Sequence, residues 1–97
     1  MIVKRHTTSD RRLILTICDD EILGRIYSEG EKQLDLSSEF YKGEKMAESQ
    51  LRELVKHAYM INAVGKKSIK CCVDSGVIDA GRVATISKIP YAQMVRF

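Results

Sequence analysis

Ile61-Asn62-Ala63-Val64-Gly65-Lys66-Lys67-Ser68-Ile69-Lys70 joins two apolar patterns of helical period. Upstream, Leu51, Leu54, Val55, Ala58 and Ile61 recur at the i, i+3, i+4 spacing, which predicts a long helix capped by Ser49. Gly65 breaks that pattern. Residues 66–75 predict a second helix with Ile69, Cys72 and Val73 facing inward, stopped by Gly76 in the left-handed conformation. This second helix opens on Lys66 and Lys67. A helix N-terminus is already electropositive, so cations there are misplaced by about 0.3–1 kcal/mol each. The arrangement makes sense if an anion docks. Gly65, Lys66, Lys67 and Ser68, with Lys70 one turn on, are therefore candidate phosphate or nucleic-acid contacts.

Working outward, Asn62 falls at the expected helix junction and Gln93 near the start of the last strand. Either amide suits base edges or the capping of backbone, so both are accessory polar candidates. At the N-terminus, residues 2–7 and 12–18 read as two strands of a hairpin, the second apolar on both faces. Asp19 is expected to cap a short helix with Ile22, Leu23 and Ile26 inward and Gly30 as its stop. A strand follows over 32–36 with Leu34 and Leu36 on one face, then a turn over 37–43 holding Phe40 and Tyr41, then a connection with room for a short strand. After a loop at 77–81, residues 83–86 read as a strand. Pro90 bars a central strand through its position, and Ala92 to Phe97 reads as the last strand. The expectation is one α+β domain over residues 1–97. It has a mostly antiparallel sheet, an N-terminal hairpin, a short helix, a central helix pair and two C-terminal strands.

Length and composition agree with this. Ninety-seven residues, 44% hydrophobic and 30% charged, suffice for one core without metal or disulfide support. No apolar run reaches the roughly 18 residues of a membrane span, and Met1 to His6 lacks a signal-peptide core, so a cytoplasmic, non-membrane protein is expected. The net charge of +3 conceals a partition. Residues 1–12 carry +3, residues 13–61 carry −4 and residues 62–97 carry +4. Such asymmetry predicts opposed surfaces. Arg5, Arg11 and Arg12 make a candidate second basic patch.

Several chemistries find no support. Cys18, Cys71 and Cys72 have neither disulfide-framework nor zinc spacing; Cys72 reads as core and Cys71 as near the outer face. Gly65-Lys66-Lys67-Ser68 resembles the tail of a Walker A loop but lacks its first glycine and follows an expected helix rather than a strand. It also departs from the G-x-x-G loop of the KH module at Ser68. His57 and His6 stand without a metal-ligand partner, and capping accounts for Asp19, Asp20 and Glu21. No metal or cofactor is expected.

Cys18-Asp19-Asp20-Glu21-Ile22-Leu23-Gly24-Arg25, Phe40-Tyr41-Lys42-Gly43, Asn62-Ala63-Val64-Gly65 and Ile89-Pro90-Tyr91-Ala92-Gln93-Met94-Val95 together resemble the small archaeal family called domain of unknown function 424. The resemblance covers nearly the whole chain. Where the last family motif has histidine after its proline, this chain has Tyr91, which argues against a histidine-based site there. The resemblance implies an archaeal cytosolic protein without established activity, in a setting related to translation or RNA. It carries over no catalytic residues.

The function expected from these observations is a nonenzymatic module that binds an anionic partner, RNA foremost. A protein-interaction or self-assembling module, a homo-oligomer, is the alternative. An enzyme with an unrecognised site uniting His57, Asn62 and Gln93 ranks below both, because no nucleophile–base pair has diagnostic spacing.

Overall fold

The structure is a computed structural model that describes residues 1–96. Eight strands and two helices follow one another over these residues. They are β1 (Ile2–Thr7), β2 (Leu13–Cys18), β3 (Ile26–Glu29), β4 (Lys32–Asp35), β5 (Glu44–Lys45), α1 (Glu48–Leu54), β6 (Met60–Val64), α2 (Lys66–Asp74), β7 (Ala84–Ile86) and β8 (Ile89–Val95). The main sheet runs β5-β1-β2-β6-β8-β7, and β3-β4 forms a separate hairpin. Among the described residues, only the β2–β6 pair is parallel. This is the α+β, antiparallel-dominated architecture expected from the element order.

Alternation along each strand sends Val3, Leu15, Ile17, Ile61, Ala63 and Ala92 to one face. There they pack against Leu51 and Val55 of the α1 region and Ile69, Cys71 and Cys72 of α2. A second, smaller core lies on the opposite face, where Leu34 and Leu36 of the hairpin segment cover Cys18, Val64 and Ile86. The hairpin covers one end of that face. The row Ile2, Cys18, Val64 and Tyr91 is the end beneath it.

Two local expectations are corrected. The helix expected from Ser49 to Ile61 ends at Leu54, and after a 3₁₀ turn at Val55–His57 the chain becomes β6. Ile61, Ala63 and Val64 fit a buried strand as well as they continue the helical stripe. A ladder to β2 on one side and β8 on the other decides for the strand. The short helix expected after Asp19 is a single 3₁₀ turn at Asp20–Ile22; Gly24 then takes φ 88° and the chain turns into β3. Gly30 is accordingly a hairpin residue, at φ 60° between β3 and β4, not a helix stop. Ile26, expected to be buried, is 54% exposed.

The C-terminal hairpin shows why proline is tolerated in β8. Pro90 pairs with Thr85 of β7, and its carbonyl accepts the Gly65 N–H at 2.8 Å. Its main-chain groups thus face the place where β6 has given way to α2, and no ladder needs the missing N–H. The last strand therefore begins three residues before Ala92; Phe97, its expected end, lies outside the described residues. α2 ends as expected. Val77 N–H bonds to the Cys72 carbonyl and Gly76 N–H, at φ 75°, to Val73, which is the Schellman arrangement.

Candidate functional site

The mouth of α2 comes first, because the sequence placed an anion there. β2 and β6 run parallel and end side by side at Cys18 and Val64, so Asp19 and Gly65 leave the sheet as neighbours. Asp19 turns its carboxylate into the helix N-terminus. Oδ2 accepts the Lys67 N–H at 2.9 Å; Oδ1 accepts the Ser68 N–H at 2.7 Å and the Ser68 hydroxyl at 2.6 Å. Asp19 is 5% exposed and Ser68 fully buried. Gly65 is required by this fit, because at φ 107° a Cβ would lie 2.3 Å from Asp19 Cγ.

The donors that an external phosphate would use are thus already engaged by a carboxylate of the chain. Lys67 pairs with Glu21, an ion pair that lowers the Glu21 pKa and raises that of Lys67, chiefly through their hydrogen bond. Lys70 pairs with Asp74 at 2.8 Å. Lys66 is exposed and has no ion-pair partner among the described residues. Asp20 binds the Met1 amino group at 2.7 Å and Lys45 at 3.3 Å. Capping does account for Asp19, as expected, but the helix it caps lies 48 residues away and is not its own turn. The cradle expected at Gly65–Ser68 is closed by internal charge.

Two of the three other basic candidates are also partnered. Arg5 lies 3.8 Å from Glu44, and Arg12 pairs with Asp10 at 3.0 Å while its guanidinium stacks over Tyr59. Arg11 occupies the β1–β2 turn at φ 68°. His57 is exposed in the turn after α1, and among the described residues it does not line the cavities that Asn62 and Gln93 line. Cys71, expected near the outer face, is fully buried, as are Cys18 and Cys72. Burial pushes the Cys18 and Cys72 thiols up to about 12, with nearby acidic groups adding to the effect at Cys18. None is a poised nucleophile.

Asn62 and Gln93 have a different fate. Both lie mid-strand, directly opposite one another on β6 and β8. Pro90 faces β6 with its carbonyl, so by alternation Asn62–Gln93 is a non-hydrogen-bonded pair, the closer kind in an antiparallel ladder. The register extends the row. Lys4 is opposite Thr16, Thr16 is beside Asn62, and Asn62 is opposite Gln93. Four neighbouring strands thereby present a polar line on the face away from the helices, beyond the end that the hairpin covers.

Above this line stands Phe40, 48% exposed, on the 3₁₀ turn Glu39–Tyr41. Lys4 Nζ donates to the Glu39 carbonyl at 2.8 Å and so ties that turn to β1. Gly43 lets the chain pass close by, since a Cβ there would lie 2.2 Å from the Val3 carbonyl oxygen. Between Phe40 and the sheet is a cavity of about 360 Å³, with Ile14, Thr16, Met60 and Asn62 as floor and Lys4 and His6 as rim. A second cavity of about 200 Å³ shares Asn62 with it and is bounded by Gln93, Tyr41 and Tyr91.

The Gln93 amide touches the Met60 sulfur at 3.8 Å. Among the described residues, the Asn62 amide and the Thr16 hydroxyl have no hydrogen-bond partner in the protein; Asn62 is half-buried and Thr16 buried, at 4% exposure. The sequence flagged Asn62 and Gln93 but missed Phe40, Lys4, His6 and Thr16, which become neighbours only through strand register. The described residues hold no cluster of three or more His, Cys, Asp or Glu that would bind a metal, and no helix long and apolar enough to cross a membrane.

Residues 6–97 match the family described as "Protein of unknown function (DUF424)". The fold is similar to the crystal structure of an uncharacterized conserved protein from Methanopyrus kandleri. The TM-score is 0.78 at 25% identity, over 99% of this chain and 93% of that one. No curated protein matches the chain.

Proposed function

Because this chain belongs to the DUF424 family, whose description assigns no activity, we propose its function from geometry: it binds single-stranded RNA on the sheet face opposite the helices, at the cavity beneath Phe40. The observation that carries this reading is the polar row Lys4–Thr16–Asn62–Gln93, lying in register beneath exposed Phe40. A sheet with an accessible aromatic ring suits unstacked bases, which stack on the ring and offer their edges to side chains. Each such stack contributes about 1–3 kcal/mol. Lys4, bonded to a carbonyl rather than ion-paired, stands on the rim as a contact for phosphate, with the His6 ring beside it as a further polar group. Duplex RNA fits poorly, because its bases are not available for stacking.

Fluorescence anisotropy with labelled single-stranded and duplex RNA at low salt tests the proposal. Single strands bind, duplexes bind at least tenfold more weakly, and Phe40→Ala weakens single-strand binding about tenfold, the equivalent of one lost stack. Lys66→Ala with Lys67→Ala changes affinity less than twofold. Absence of single-strand binding, or an equal loss in the lysine double variant, overturns the proposal.

Self-assembly has one specific observation in its favour. β7 covers β8 only at Ile89–Tyr91, so the main-chain groups of Gln93 and Val95 point to an open edge. Pairing of two β8 edges would extend the sheet across a two-fold axis. Sedimentation velocity over a hundredfold concentration range decides it; a monomer throughout removes this second reading.

A further inference from the structure

Resting on the single-strand reading, we infer that the larger cavity of the sheet face selects adenine, with Asn62 as the residue that reads it. The cavity, at about 360 Å³, has Phe40 above and Ile14 and Met60 below, apolar surface on which a base rests by its face, and Asn62 stands one row further along the sheet, where the edge of that base lies. Polar groups are few, and the one free to make a paired contact is the Asn62 amide. It offers one acceptor and one donor side by side. Adenine presents the complement, an N6 amino group beside a ring nitrogen acceptor, which is why asparagine contacts adenine in bidentate fashion.

Guanine presents two acceptors, O6 and N7, on its Hoogsteen edge, which calls for two donors; its Watson–Crick edge, O6 beside N1–H, matches an amide but carries a further 2-amino donor that the apolar lining of Ile14 and Met60 leaves unpaired. Cytosine and uracil match an amide at their edges, but a single ring leaves part of the slot between Phe40 and Met60 unfilled. The adjoining cavity, about 200 Å³, shares Asn62 and is walled by Tyr41 and Tyr91. It accommodates the next base by stacking, which every base can do. The footprint is thus two consecutive nucleotides, with identity fixed at one of them.

The test is anisotropy titration of the full chain with labelled hexanucleotides of adenosine, guanosine, cytidine or uridine at one low salt concentration. Oligoadenosine binds about tenfold more tightly than the others. Asn62→Ala brings it down to their level while Phe40-dependent binding persists. A hexanucleotide of purine riboside, which lacks the 6-amino group, loses the same preference on the unaltered protein and so needs no variant to fold. Equal affinity for all four homopolymers overturns this inference and leaves single-strand binding intact. No affinity for any of them overturns both. An adenosine preference that survives in purine riboside, or in a folded Asn62→Ala variant, also overturns it.

Discussion

Replacing Asp19 by alanine removes the acceptor of three hydrogen bonds at once, from the Lys67 and Ser68 N–H groups and from the Ser68 hydroxyl. Loss of an N-cap alone costs about 0.5–2 kcal/mol. Here Ser68 is fully buried, and an unsatisfied buried donor adds about 1–3 kcal/mol. Relief of the desolvated carboxylate offsets part of this, so the expected loss is about 3–4 kcal/mol. At a urea m-value of about 1.5 kcal/mol/M, the midpoint falls by about 2 M. Asp19→Asn keeps an acceptor at Ser68 but sets an amide donor against the Lys67 N–H, and costs about 2 kcal/mol. Urea titrations followed by circular dichroism measure both. The emptied mouth of the alanine variant also becomes an anion site. If sulfate binds there with a Kd of about 10 mM, 50 mM sulfate returns about 1 kcal/mol beyond its effect on the unaltered protein. A loss below about 1 kcal/mol for Asp19→Ala would refute the assignment of this carboxylate as the internal anion of α2.

Further expectations concern pH, the cysteines and Gly43. The carboxylates of Asp10, Asp20, Glu21, Asp35, Glu39 and Asp74 all have depressed pKa values, so the stability they confer is present above their ordinary values and is lost as pH falls through the folded ones. The thermal midpoint should therefore drop between about pH 5 and pH 3; a flat profile contradicts the ion pairs. The three buried thiols should resist alkylation at pH 8 in the folded protein and react fully in denaturant, as counted by mass spectrometry. Gly43→Ala forces a Cβ against the backbone of Val3 and should cost about 2–3 kcal/mol, read as a lowered urea midpoint; a neutral result means the strand edge can yield.

The sequence by itself determined the α+β class, because local signals agreed with the fold wherever one face of an element met the core. β1 and β2, the 3₁₀ turn at Phe40–Tyr41, α2 and its Gly76 terminus all follow from alternation, helical period and turn chemistry. It also determined that Gly65 ends one element and begins another. The family motifs add their own logic, since Gly43 and Gly65 stand where no Cβ fits. Tertiary structure alone decided that Met60–Val64 is a strand, because five apolar-rich residues satisfy either period until neighbouring strands complete their hydrogen bonds. It also decided the occupant of the α2 mouth. Lysines at a helix start signal a missing anion, but no local pattern says whether that anion is a ligand or Asp19, 48 residues upstream. The row Lys4–Thr16–Asn62–Gln93 has the same origin, for strand register places side by side residues that the chain keeps dozens of positions apart.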